Sequence, residues 1–249
     1  MRFLLSPAKK MNRDTDSLPW QDLPRFLPQA EQLWQAMGQM DAAALQALWK
    51  CNDRIAEQNV QRLRTGRLRT GLTPAILAYE GIAFQYMAPS VFTVEQFDYV
   101  QEHLRILSGL YGVLRPFDGV TPYRLEMQAR LSVGGSKDLY AFWGGRLADA
   151  LWAETDCIVN LASQEYSRCV FRFPVPGKRF ITCVFGEEKD GKVVEKGTPC
   201  KMARGEMVRF LAQRQAETAE EARAFDRLGY RYAPEHSDET TYCFIKEES

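Results

Sequence analysis

Two short runs, "RFLLS" at 2–6 and "CIVNLA" at 157–162, constrain the fold more than any other feature of the chain. Each is too brief for a helix and too uniformly apolar for a strand with one wet face. Both therefore predict strands buried on both sides. Each runs straight into a polar segment, "SPAK" after the first and "SQEY" after the second. A further apolar run, "TTYCFIK", predicts a strand at the end of the chain.

The segments between them carry helix signals. Residues Pro28 to Arg64 form a helical region, broken near Gly38 and Cys51, with Asp41 placed as an N-cap. Thr73-Pro74 is a helix start with proline at the first helical position. Thr93 with Gln96 three residues on makes a capping box, and Asp138 caps "LYAFWGGRLADALWAE". "SQEYSRC" opens another helix directly after the second apolar run. Thr198-Pro199 opens one through about Gln215, and Thr218 with Glu221 opens a last one ending at Gly229. Alternation on both sides of Asp190-Gly191 is a hairpin signal, because that dipeptide accepts the positive φ angles of a tight turn. No repeat or low-complexity linker divides the 249 residues. The expectation is a mixed α/β (α+β) fold, a single domain over 1–249 with a mixed sheet and flanking helices.

Several function classes lose support. No run approaches the ~18 apolar residues that span a bilayer. Only four residues separate Arg2 from Pro7, too few for the apolar core of a signal peptide. A cytoplasmic protein that does not engage membranes is expected. The six cysteines form no C-x-x-C pair and mostly sit in apolar runs, so they are expected as reduced structural residues. With only His103 and His236 in the chain, no zinc or iron-cluster spacing forms, and neither a metal nor a cofactor is expected.

The formal charge is zero but unevenly spread. From Glu217 to Ser249 nine acids face four Lys/Arg, whereas "QRLRTGRLRT" (61–70) holds Arg62, Arg64, Arg67 and Arg69 with no acid. Such a patch is the footprint of a polyanion partner, or else simply a solvated helix end. The stretch His103–Met127 is also unusual. Gly109, Gly112, Pro116, Gly119 and Pro122 punctuate it, and Arg105, Tyr111, Arg115, Tyr123 and Arg124 lie between them. Its G-x-x-G word resembles hairpin loops that lay backbone N–H groups on nucleic-acid phosphates. The arginines would meet phosphates and the tyrosines would stack on bases or riboses; otherwise the glycines serve packing and the arginines pair with Glu126, Asp118 and Glu102.

Four polar loops each follow an apolar run: Ser6–Lys9, Gly109–Asp118, Pro122–Met127 and Asn160–Tyr166. In α/β proteins ligands gather at such strand ends, and these loops are expected to meet on one face.

"LLSPAK", "HLRILSGLYGVLRP", "PYRLEM", "DLYAFWG", "VNLASQEY" and "KMARGEMVRF" occur in the order seen in the YaaA family, which the chain resembles over nearly its whole length. The resemblance implies a cytoplasmic protein of the peroxide-stress response that helps limit free intracellular iron. It also implies a positively charged cleft and binding to double-stranded DNA. One word departs from the family pattern: a Lys-Gly-Asp-Val-Tyr-like word is replaced by "EGIAFQY" (80–86), so Ile82 stands for an acid and Phe84 for an aromatic hydroxyl.

Two functional classes follow. In the first, double-stranded DNA is held with little sequence preference. Phosphate or DNA contacts then come from Ser6, Lys9 and the group Arg105, Gly109, Tyr111, Gly112, Arg115 and Arg124. Lys137, Lys201 and Arg204 complete that set. In the second, the protein is an enzyme on a nucleotide or other phosphorylated small molecule, with Glu126, Ser163, Glu165 and Tyr166 as acid–base or nucleophilic groups. A scaffold role in iron handling, with no ligand, is the remaining alternative.

Overall fold

The computed structural model describes residues 1–246. Its main sheet is built outward from Arg2–Leu5, the first of the apolar runs. Leu104–Ser108 pairs with it on one side and Cys157–Asn160 on the other, both in parallel. Arg179–Lys189 and then Thr241–Lys246 extend the parallel array beyond Cys157–Asn160. Antiparallel strands close both ends: Gly112–Leu114 beside Leu104–Ser108, and Tyr230–Tyr232 beside Thr241–Lys246. Lys192–Val194 returns along Arg179–Lys189 through a turn in which Asp190 and Gly191 have φ of 51° and 72°. The expected hairpin is present, with both turn residues in the left-handed region such turns need.

The central strands are buried as expected for parallel strands covered on both faces. Every residue of Leu104–Ser108 is buried, as are the last three of Arg2–Leu5 and of Cys157–Asn160. The helix Val94–His103 packs on the first two strands and the long helix Gly197–Arg214 on Arg179–Lys189. A hydrogen bond of 2.6 Å from the Tyr99 hydroxyl to the Ala216 carbonyl ties the ends of these two helices together. The buried apolar residues form one continuous cluster, consistent with a single domain. Among the described residues no helix is long and apolar enough to cross a membrane.

Local chemistry explains most of the helices. The Pro28–Arg64 region is three helices, Leu27–Gly38, Ala42–Trp49 and Asp53–Thr65. Asp41 accepts from the Ala44 N–H at 2.8 Å, the Thr93–Gln96 capping box is closed on both sides, and Asp138 accepts from the Ala141 N–H at 2.8 Å.

Two expectations are corrected. Thr73-Pro74 does not open a long helix; it pairs as a two-residue strand with Gly119–Val120, and only Ala75–Ala78 is helical behind it. The chain then becomes extended at Tyr79–Glu80, which pairs with Lys10–Met11. Similarly, the capping box at Thr218 is present, but it starts a 3-10 helix, Ala219–Ala224, and not an α-helix reaching Gly229. Phe225 leaves the helix with φ −62° and ψ 124° and turns into the core, its ring 5.4 Å from Phe210 and 5.7 Å from Phe185. Burying that ring outweighs continuing a short exposed helix.

Candidate functional site

The chain leaves Arg2–Leu5 toward Leu104–Ser108 on one side, and leaves Cys157–Asn160 toward Arg179–Lys189 on the other. Between the carboxyl ends of the first strand and Cys157–Asn160 the connections therefore diverge and open a crevice, the place where doubly wound sheets hold ligands. The walls are fixed by hydrogen bonds. The Leu161 N–H donates to Leu4 O at 2.9 Å, and the Ala162 N–H to Asn160 Oδ1 at 3.0 Å. Ser6 Oγ accepts from the Ser163 N–H at 2.8 Å and donates to Ser163 Oγ at 3.2 Å. Ser163 holds the N-cap position of the helix Gln164–Phe171, yet its hydroxyl is turned to Ser6 and does not cap that helix.

A cavity of about 390 Å³ opens at this point. The loop Ser6–Lys10 and the start of the helix Gln164–Phe171 form part of the wall. The segment Glu80–Phe84 and the helix Gly197–Arg214 supply the rest, the latter through Lys201 and Arg204. Gly205 allows that approach: a Cβ there would lie 1.9 Å from the Ala83 carbonyl oxygen, so only glycine lets the long helix press on the helix Ile82–Met87.

Charge at the cavity is of both signs. Lys9 Nζ and the Arg124 guanidinium share one oxygen of Glu126, at 3.2 and 3.0 Å. Lys10 pairs with Glu80 at 2.6 Å and Arg204 with Glu195 at 3.1 Å. The Nε atoms of Arg124 and Arg204 are buried and find no partner among the described residues. Burial pushes the Glu165 carboxyl above the usual carboxylate range. The Gln128 N–H, donating at 3.3 Å, opposes that rise, and the neighbouring Glu126 adds to it. Glu126, held by two cations, and Glu165, held by backbone N–H groups, are thus two carboxyls in different environments. That is the arrangement from which acid and base roles are drawn. Burial also raises the Tyr166 phenol well above its ordinary value.

Neither serine has an imidazole to activate it. His103 bonds the Met1 carbonyl at 3.0 Å, and His236 lies 3.5 Å from Glu188. Any base for Ser6 or Ser163 would have to come from the lysines or Glu165 of the same cavity.

Three of the four loops converge here. Ser6, Lys9, Ser163, Glu165, Tyr166, Lys201 and Arg204 line the cavity. Arg124 and Glu126 adjoin it through Lys9. The fourth loop, expected to grip phosphates, is buried except at Arg115, and so is Arg105 in the strand before it. Arg105 is 2% exposed; its guanidinium pairs with Glu154 at 2.7 Å and donates to the carbonyls of Gln101, Glu102 and Leu104. Gly109 and Gly112 are the buried ends of a hairpin turn, and a Cβ on Gly109 would meet the Leu125 carbonyl oxygen at 2.3 Å. Tyr111 is fully buried and accepts from the Thr121 N–H at 3.1 Å. Tyr123 belongs to a buried chain, Tyr79 to Tyr123 at 2.9 Å and Tyr123 to Ser108 at 2.6 Å. These residues build the core, and of them Arg105 also borders a cleft that shares no residue with the cavity lining. Arg115 is exposed but lies beside Asp118, Arg25 and Glu154 in a separate cleft, and Lys137 is exposed outside the cavity.

The arginine-rich segment is also partly committed. Arg62 donates to the Met11 carbonyl at 3.0 Å and Arg69 forms a two-point pair with Glu31, leaving Arg64 and Arg67 exposed. Sequence reasoning missed Lys10 and Glu80 as cavity residues. It flagged Ile82 and Phe84 only as a departure, and both line the cavity. All six cysteines are free, and burial pushes the thiols of Cys169, Cys183 and Cys200 up to about 12.

A family model described as "Peroxide stress protein YaaA" matches residues 1–236. The chain belongs to the YaaA family. A "UPF0246 protein" of Lachnoclostridium phytofermentans is 50% identical over 249 residues, covering 100% of this chain and 98% of that protein. One from Agathobacter rectalis is 51% identical over 244 residues, 98% of each chain. A third, from Pediococcus pentosaceus, is 48% identical over 248 residues, 100% of this chain and 99% of its own. The YaaA match spans every element that forms the cavity, from Ser6 to Arg204.

Proposed function

We propose that this YaaA-family protein serves the peroxide-stress response in the cytoplasm by binding a phosphorylated small molecule in the cavity at the strand ends. The observation that carries this reading is the convergence of Ser6, Ser163, Lys201 and Arg204, from three distant segments, on one cavity. A hydroxyl, an ammonium and a guanidinium are groups that hold phosphate oxygens. Glu165, whose carboxyl is raised by burial, is positioned as the proton donor or acceptor if the bound molecule is turned over. Lowering of free iron is a consequence of that activity and not of iron held by the protein.

A second reading, binding of double-stranded DNA, draws on the exposed Arg64, Arg67 and Arg115. Such binding runs through phosphate neutralisation, with affinity falling steeply as salt rises. Thermal melts separate the two readings. Phosphomonoesters are expected to raise the melting temperature of the wild type and not of Lys201→Ala. If instead a DNA duplex raises it, and Arg64→Ala with Arg67→Ala removes that rise while phosphomonoesters do nothing, the cavity reading fails.

A further inference from the structure

The cavity is not a plain phosphate site. Lys201 and Arg204 come from one helix, but most of the remaining lining is apolar: Leu5, Ile82, Phe84, Leu161 and the ring of Tyr166. Phe84 and Tyr166 are 4% and 7% exposed, so both rings are fixed by the core behind them. They come from different elements, the helices Ile82–Met87 and Gln164–Phe171. Fixed rings from separate elements around a narrow space favour a flat partner, since stacking and edge contacts both need planar faces. A site for phosphate alone has no use for such walls.

Size narrows the class further. A volume of about 390 Å³ sits at the low end of the ~300–1,000 Å³ typical of ligand pockets. That is room for one ring system and one phosphate group, not for a dinucleotide. Ser163 and Glu165 add polar groups at the strand ends. Ser163 keeps hydrogen-bonding capacity beyond its bond to Ser6 Oγ. The Glu165 carboxyl is raised by burial. Two polar groups beside apolar walls match the polar atoms on the edge of a heteroaromatic ring.

We propose that the cavity takes a mononucleotide-like ligand, a single heteroaromatic ring carrying one phosphate. Its phosphate meets Lys201 and Arg204, its ring lies between Phe84 and Tyr166, and Ser163 and Glu165 bond the polar atoms of the ring edge. The proposal rests on the reading of the cavity as a phosphorylated-ligand site and adds the ring to it.

Isothermal titration of the full-length protein with adenosine 5′-monophosphate, ribose 5-phosphate and adenosine tests it. The monophosphate is expected to bind at least ~10-fold more tightly than either fragment. Ile82→Ser, a half-buried wall position that can fold with a polar side chain, is expected to weaken the monophosphate several-fold and leave ribose 5-phosphate unchanged. Lys201→Ala is expected to weaken both phosphates and leave adenosine alone. If ribose 5-phosphate binds as tightly as the monophosphate in wild type and Ile82→Ser, the ring is not recognised and this proposal is overturned while the phosphate site stands. If neither phosphate binds, the phosphate site itself is overturned.

Discussion

Asp118 shows how far a single side chain departs from what its position in the sequence implies. It lies among Arg115, Pro116 and Phe117 in a loop expected at the surface, yet it is 4% exposed. Burial pushes its carboxyl up to about 7, against the pull of the Arg115 N–H that donates to it at 2.9 Å. The carboxyl binds its proton more tightly folded than unfolded. The resulting stability is fully present below the unfolded value near 4 and is lost as pH rises through about 7. Wild type is therefore expected to gain stability on acidification from pH 8 to pH 5. Asp118→Asn keeps the acceptor for the Arg115 N–H without the charge. At pH 8 it is expected to be more stable than wild type by about 1–3 kcal/mol, a gap that narrows toward pH 5. Urea melts at the two pH values check this, and a gap that stays constant would show that Asp118 ionises normally.

Among elements, the long helix Gly197–Arg214 decides whether the cavity exists. It carries Lys201 and Arg204 to the site only because Gly205 lets it rest on Ala83. Gly205→Ala places a methyl group against a backbone oxygen that cannot move aside cheaply. The expected cost is about 1–3 kcal/mol in thermal or urea melts, together with loss of phosphomonoester binding. An alanine variant with unchanged stability would mean that the two helices are not in tight contact.

Elements defined by adjacent residues were legible in the sequence: the Asp41 and Asp138 caps, the Thr93 box and the Asp190-Gly191 hairpin all depend on groups within a few positions. Thr73-Pro74 was not, because its partner strand begins at Gly119 and nothing local announces that pairing. The same division runs through the site. The loops after the two apolar runs were legible as polar strand ends. The fate of Arg105 was not, because its carboxylate, Glu154, lies 49 residues further along the chain. A pattern of glycines and arginines looks the same whether it grips a phosphate or fills a core.

For the molecule as a whole, membership of a peroxide-stress family raises the question of whether peroxide acts on the protein itself. A sensor thiol needs exposure and a lowered pKa, since the thiolate is the reacting form. Cys183 and Cys200 are 1% and 4% exposed and are pushed up to about 12. Cys157 is half-buried and also raised, with burial the main cause. Brief treatment with low peroxide is expected to leave Cys157, Cys183 and Cys200 reduced by mass spectrometry. Rapid sulfenic acid formation at any of the three would make the protein a direct sensor. At the scale of the sheet, the carboxyl ends of the first strand and of Cys157–Asn160 bring together residues from Ser6 to Arg204 around one cavity. The most direct measurement is a crystal soaked in adenosine 5′-monophosphate. Phosphate density against Lys201 and Arg204, with the ring between Phe84 and Tyr166, is the expected result. An empty cavity, with the phosphate on Arg115 or on Arg64 and Arg67, would contradict it.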